Sequence, residues 1–246
     1  MILAHAEVVK NIKTVAGKIN NRKTTVWRIN MKCNKNIMLL YAVTNSKLVS
    51  EQPLIEQIES ALKGGITCLQ LREKELDEES FLAEAIEVKK LCEKYHVPLI
   101  INDNVNVAIK SGADGVHVGQ SDMEVSEVRK LVGDNMIIGV SAHTTQEAKL
   151  AEVSGADYLG VGAIYQTTTK QDATYVSLDE LKKICKSVRI PVVAIGGMDR
   201  NTISKLSGTG VDGVAMVSAI FAADDIEQEC RKLLRLSKDM VTDIER

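Results

Sequence analysis

The chain has 246 residues, enough for one large α/β domain and close to the roughly 250 of a single α/β barrel. A net charge of -2 with 26% charged residues gives no global sign of a nucleic-acid or membrane-surface partner. The five cysteines, Cys33, Cys68, Cys92, Cys185 and Cys230, lack paired spacing, which argues against a disulfide framework or a zinc site. No apolar run approaches the roughly 20 residues of a membrane span, and the N-terminus lacks a secretory signal, so a reducing cytoplasm fits best.

Residues 1–35 read differently from the rest. They carry eight basic residues and one acid, a net +7, which leaves -9 for the other 211 positions. Val8, Val9, Ile12, Val15, Ala16 and Ile19 recur at helical spacing between lysines, the pattern of a basic amphipathic helix. Such a helix could target an organelle or dock on a surface, but the segment contains no serine. The simpler reading is an appended extension, with Met31 as the natural first residue and the folded domain over 36–246.

From Ile37 onward, apolar runs alternate with amphipathic segments. Strands are expected near 38–43, 67–71, 98–101, 114–118, 136–140, 157–161, 191–195 and 212–217. Helices are expected near 51–63, 78–95, 104–111, 123–132, 145–153, 177–187, 200–207 and 223–237. Eight of each in strict alternation is the count of a closed (β/α)8 TIM barrel rather than an open sheet. The apolar runs are nearly continuous, as suits strands buried on both faces. Pro98 and Pro191 each directly precede a strand, a place proline tolerates.

Three segments share one plan: Gly112 to Gly119, Gly155 to Gly162 and Gly210 to Val217 each begin with a helix-stopping glycine, then an aspartate, then a buried strand. Asp114, Asp157 and Asp212 therefore sit at strand beginnings and read as structural. Active sites of barrels lie at the other end.

At that other end, each run closes on a different polar cluster. Gln70, Arg72 and Lys74 end the second strand, Asn102 and Asp103 the third, and His117 the fourth, with Gln120 and Asp122 just beyond. Asp103 and Asp122 supply hard oxygen ligands of the kind that hold magnesium together with substrate phosphates. Alternatively, each could be a helix N-cap. Arg72 and Lys74, on alternate positions, suit a diphosphate, whereas Glu73 and Glu75 make the same stretch look like a solvated charge run.

Thr167 to Lys170 follows the sixth strand with hydroxyls and a cation. Gly196-Gly197 and Val217-Ser218 follow the seventh and eighth, where barrels often bind phosphate through backbone N–H groups. Ser141 and His143 lack a third orienting group and a nucleophile-elbow pattern, which disfavours serine-hydrolase chemistry. The four histidines show no metal-ligand spacing.

From about Met38 to Phe221 the chain resembles the thiamine phosphate synthase family. The resemblance is carried by Gln70-Leu-Arg-Glu-Lys74, Ile101-Asn-Asp103, Gly115 to Gln120 with Asp122, Gly139-Val-Ser141 with His143-Thr144, Thr167 to Lys170 with Asp172-Ala173, Val193 to Gly197, and Val217 to Ile220. It implies a transferase that joins hydroxymethylpyrimidine diphosphate to hydroxyethylthiazole phosphate, releasing thiamine phosphate and diphosphate by a dissociative, Mg²⁺-dependent substitution. By that resemblance Asp103 and Asp122 would ligand Mg²⁺. Gln70, Arg72, Lys74, Asn102 and Lys170 would hold the pyrimidine diphosphate, and Ser141 would contact its diphosphate or its ring. Thr167, Thr169, Gly197, Val217 and Ser218 would bind the thiazole phosphate, and Ser141 and Lys170 would flank the reacting bond. Its partners would be these small molecules, with no nucleic acid or membrane; a homo-oligomer is compatible with the sequence, which does not set the number of copies.

The chain departs from the family pattern at Asn104 and Asn106, where an arginine and an aspartate are usual, and at Ala163 and Gln166, where prolines are usual. Two other readings share the fold: a thiazole tautomerase-like isomerase and a non-catalytic phosphate-binding barrel. A tautomerase has no need of Arg72, Lys74, Asn102, Asp103, Asp122 and Lys170 together.

Overall fold

The computed structural model describes residues 33–46, 52–167 and 174–242. The basic helix expected from Val8 to Ile19 falls outside them, as do Thr169 and Lys170. Cys33–Arg246 form one compact unit.

The strands are β1 (Leu40–Val43), β2 (Cys68–Leu71), β3 (Leu99–Asn102), β4 (Gly115–Val118), β5 (Ile137–Ala142), β6 (Tyr158–Val161), β7 (Val192–Ile195) and β8 (Gly213–Met216). They pair in parallel in chain order, and β1 closes on β8. The helices among the described residues are α1 (Leu54–Lys63), α2 (Glu78–Tyr95), α3 (Val105–Ser111), α4 (Val125–Val132), α5 (Thr145–Val153), α6 (Leu178–Ser187), α7 (Ser218–Phe221) and α8 (Ile226–Thr242). None is long and apolar enough to cross a membrane.

One expected helix is missing and one short helix is new. The segment near 200–207 is only a 3-10 turn, Ile203–Leu206. Thr202 folds back to bond Asp199, and Gly208 and Gly210 follow with positive φ of 73° and 94°, so the helix has no room to propagate. The helix expected near 223–237 is α8, which starts at Ile226 and runs on to Thr242, and a short helix that was not expected, α7, lies between β8 and it.

Strand alternation divides the core. Leu40, Ala42, Leu69, Leu71, Leu99 and Ile101 face outward into the layer shared with the helices. Tyr41, Val43, Cys68, Ile100, Ile137 and Tyr158 face the barrel interior. Each fully buried Leu or Ile contributes on the order of 1.5–3 kcal/mol. Toward the C-terminal strand ends, the inward positions turn polar: Gln70, Asn102, His117 and Ser141.

The N-terminal end of the barrel follows one rule. The residue just before each even-numbered strand accepts a backbone N–H from the start of the odd-numbered strand before it. Leu40 donates to Thr67 Oγ1 (2.9 Å), Leu99 to Asp114 Oδ2 (2.9 Å), Ile138 to Asp157 Oδ2 (2.8 Å) and Val192 to Asp212 Oδ2 (2.9 Å). Each aspartate also meets a cation: Lys89 at 2.8 Å from Asp114, Arg129 at 2.5 Å from Asp157 and Lys35 at 2.7 Å from Asp212. The repeated glycine-aspartate plan is thus a way of tying strand starts together.

Candidate active site

At the C-terminal end, the strands and their loops surround a cavity of about 580 Å³. Gln70, Arg72, Lys74, Asn102, Asp103 and Asp122 line one side. Ser141, Thr167, Gly197, Val217 and Ser218 complete the wall, so every described residue of the expected site faces one space.

The side formed by β2 to β4 is held locally. Thr44, fully buried, accepts the Arg72 N–H at 2.8 Å and so fixes where the guanidinium starts. Lys74 Nζ donates to Asp103 Oδ2, which sets a cation beside a carboxylate at the rim. Asp103 has φ +60°, a left-handed conformation that aspartate tolerates better than most residues and that is concentrated at functional sites.

Neither aspartate is a helix cap. Asn104 caps α3 by accepting the Val107 N–H at 2.9 Å, and α4 starts at Val125 with no side-chain cap. Asp122 instead accepts the Gly119 N–H through Oδ2 at 2.7 Å. The asparagine that departs from the family pattern at 104 therefore does the capping, which leaves Asp103 for the cavity.

The solvated-run reading of 72–75 also fails for Glu73, which is buried with its Oε1 unpartnered. Burial raises the pKa of its carboxyl. Asn102, 8% exposed, has a buried Nδ2 with no protein partner, a donor at the cavity wall. Such an orphan is costly unless something else satisfies it.

On the opposite side, the ladder between β6 and β7 continues into the loops. Ile164 and Tyr165 donate to the carbonyls of Ile195 and Gly196, both at 3.0 Å. Ala163 N–H to Thr174 O and Val176 N–H to Ala163 O, both 2.8 Å, join the two stems of the 163–176 loop. Gly196 and Gly197 have φ of +94° and +64°, and a Cβ at Gly197 would lie 2.5 Å from Gln166 O. Glycine is required there on both counts.

The floor of the cavity holds a buried chain of side chains. Gln70 Nε2 donates to Tyr41 Oη (2.8 Å), Tyr41 Oη meets Tyr158 Oη (2.7 Å), and Tyr158 Oη meets His117 Nδ1 (2.9 Å). His117 Nε2 then meets Ser141 Oγ at 3.0 Å, and Gln120 Nε2 donates to Ser141 O at 2.6 Å. Burial pushes the His117 imidazole down to about 4 and both tyrosine hydroxyls well up, so the chain is neutral near pH 7.

His117 is therefore a poor general base for Ser141, and its other nitrogen faces a phenol rather than a carboxylate. His143, the histidine nearest to Ser141 in sequence, pairs with Glu147 at 3.1 Å instead. The serine-hydrolase reading fails on geometry as well as on sequence.

Tyr41 and Tyr158 were not among the expected site residues. Strand parity marks them: Tyr41 shares a face with Val43, and Tyr158 with Gly160. They read as core because they lie below the strand ends.

A sequence profile of the thiamine monophosphate synthase family matches residues 40–220. The chain belongs to the thiamine monophosphate synthase family. The thiamine-phosphate synthase of Clostridium acetobutylicum is 50% identical over 199 residues, 81% of this chain and 94% of that protein. The enzyme of the same description from Methanobrevibacter smithii is 48% identical over 196 residues, 80% of this chain and 93% of that one. Among solved structures, a thiamine phosphate pyrophosphorylase from Pyrococcus furiosus superposes with a TM-score of 0.78 at 35% identity, covering 84% of this chain and 98% of that one. A 3-hexulose-6-phosphate synthase shares the fold at TM-score 0.57 and 16% identity. The family membership makes this chain a transferase of thiamine biosynthesis, and its matched span covers every strand of the barrel.

Proposed function

We propose that the cavity performs the family's condensation, joining 4-amino-2-methyl-5-hydroxymethylpyrimidine diphosphate to 4-methyl-5-(2-hydroxyethyl)thiazole phosphate, with release of diphosphate and formation of thiamine phosphate. The single observation that carries this reading is the convergence of Arg72, Lys74, Asn102, Asp103 and Asp122 on the same space as Gly197, Val217 and Ser218. An anion-binding half and a second, backbone-rich half face each other across one cavity, which suits two phosphorylated substrates.

The donor set fits magnesium. Among the described residues no group of three or more His, Cys, Asp or Glu could hold a metal ion. Asp103 and Asp122 instead line the cavity as two carboxylates, each with a protein bond through Oδ2. Magnesium is commonly held by one or two carboxylates plus substrate phosphate oxygens. Asp103 and Asp122 would hold Mg²⁺, and the ion would supply charge neutralisation for the departing diphosphate.

The chain's own residues do the rest. Arg72 and Lys74 place fixed cations against the leaving diphosphate, and the Asn102 Nδ2–H finds an acceptor on the same substrate. In a dissociative substitution the C–O bond to diphosphate breaks before the thiazole nitrogen attacks, so no protein nucleophile is needed. Holding both reactants in line is worth on the order of several kcal/mol. Thr167, Gly197, Val217 and Ser218 would orient the thiazole phosphate; by the family resemblance Thr169 and Lys170, outside the described residues, would add a hydroxyl and a cation. The enzyme would work on small molecules in the cytoplasm.

The test is to mix the purified protein with both substrates and Mg²⁺ and follow thiamine phosphate and diphosphate together. The two should appear in equal amounts; absence of product would remove the synthase reading. Rearrangement of a thiazole precursor alone would support the isomerase instead.

A further inference from the structure

One orientation of the buried side-chain chain beneath the cavity gives each of its protons an acceptor. Gln70 Nε2–H points at Tyr41 Oη. Either hydroxyl of the Tyr41–Tyr158 pair fits as donor, and the orientation that gives every proton an oxygen or nitrogen acceptor sends the Tyr41 proton to Tyr158 and the Tyr158 proton to His117 Nδ1. A neutral imidazole that accepts at Nδ1 carries its proton on Nε2, and Nε2 faces Ser141 Oγ at 3.0 Å. The Ser141 oxygen is then occupied as an acceptor, and its own O–H is left to point into the cavity.

We propose that Tyr41, Tyr158 and His117 are positioning residues that hold Ser141 as a fixed hydrogen-bond donor toward an acceptor atom of the pyrimidine diphosphate. The inference rests on the synthase reading for the identity of the ligand. No proton moves along the relay; each group keeps its own.

Packing supports a rigid relay. A Cβ at Gly139 would lie 2.1 Å from Tyr158 Cζ, and one at Gly160 would lie 3.1 Å from His117 Cε1. Gly139 pairs with Tyr158, and Gly160 with Ser141, across β5 and β6. The two glycines thus open the barrel interior where the tyrosine and the histidine must lie, and Tyr158 is fully buried. Gln120 Nε2 holds the Ser141 carbonyl at 2.6 Å, which steadies the backbone under the hydroxyl.

The direction also matches the rest of the cavity. Arg72, Lys74 and the orphan Asn102 Nδ2 are all donors, so a ligand rich in acceptors is expected. A relay run the other way would spend the Ser141 proton on His117 and present only lone pairs to such a ligand. As charge develops on departing diphosphate, a donor held in place strengthens without reorganisation.

The imidazole tautomer is measurable without turnover. In the full chain labelled with ¹⁵N-histidine, with the His117 signals assigned by their loss in His117→Gln, long-range ¹H–¹⁵N spectra at neutral pH should show the Nε2–H form. The Nδ1–H form would overturn the proposal. In parallel, Tyr158→Phe should lower kcat about fivefold to tenfold, the worth of one hydrogen bond, with KM nearly unchanged. In a Ser141→Ala background the same change should have no further effect. An equal loss in that background would mean that Tyr158 acts on the fold and not through Ser141, against the proposal. Tyr41→Phe interrupts the relay one step earlier and should repeat the pattern if Tyr158→Phe folds poorly; a full kcat in a folded Tyr41→Phe enzyme would count against it. A chain with the Nε2–H tautomer but no thiamine phosphate formation would defeat the functional reading and leave the relay standing, whereas an active enzyme with Nδ1–H would do the reverse.

Discussion

The two ends of the barrel use charged residues in opposite ways. At the N-terminal end, Asp114, Asp157 and Asp212 are each saturated by a strand N–H and a cation from the same chain. At the C-terminal end, Asp103 sits in a left-handed conformation beside Lys74, Asn102 keeps a buried donor unpartnered, and the glycines at 196 and 197, with positive φ, pack against Ala163 and Gln166 too closely for a side chain. The same strands thus begin in internally satisfied polar contacts and end in contacts that a ligand must complete. Aspartate by itself says nothing about function; the strand end it occupies decides.

That contrast can be broken from either side. The largest effect is expected at the closed end: Asp114→Ala leaves the Lys89 ammonium, with its side chain only 5% exposed, without its main partner. Losing one member of a buried pair costs about 3–5 kcal/mol, measurable by urea unfolding, while kcat per folded molecule should stay at the wild-type value. Asp103→Ala and Asp122→Ala should do the converse. Their Mg²⁺-dependent kcat should fall on the order of 10²–10³-fold, the scale of losing one charge-stabilising group, with the urea midpoint close to wild type. Unchanged kinetics would remove the metal assignment.

A smaller effect tests the neutral floor of the cavity. His117 is held down to about 4 by burial, below its ordinary 6.5. Between those values the unfolded chain binds a proton that the native chain does not, so stability from this residue is present above about pH 6.5 and is lost as pH falls toward 4. At about 1.4 kcal/mol per pKa unit, the loss is at most roughly 3 kcal/mol. Glu84, raised to about 7 by burial, runs with the opposite sign, its contribution lost as pH rises toward 7. Subtracting the unfolding free energies of His117→Gln from those of the wild type between pH 4 and 7 isolates the histidine. A flat difference would contradict its buried neutral state.

Much of this was legible from residue order because alternation of buried runs and amphipathic segments is a direct imprint of a parallel barrel. Each strand lies within a few residues of its expected span, and the described members of the polar clusters at strand ends line one cavity. Period and polarity could not distinguish Asp103 from an N-cap, since the next residue, Asn104, has the same capping chemistry; only the backbone showed which one caps. The helix expected near 200–207 failed because local bonds between Thr202 and Asp199 compete with helix propagation over so short a run. Tyr41, Tyr158 and the partnership of His117 with Ser141 stayed hidden because they join β1, β4, β5 and β6, and a contact across 117 residues leaves no mark in sequence spacing.

The proposed division of the cavity into a pyrimidine-diphosphate half and a thiazole-phosphate half is tested most directly by KM values for both substrates in two variants. Arg72→Ala should raise KM for the pyrimidine diphosphate by about tenfold or more, the scale of a charge-assisted bond, and leave KM for the thiazole phosphate unchanged. Gly197→Ala, whose new Cβ would crowd Gln166 O, should do the reverse. Equal rises for both substrates in both variants would contradict the division.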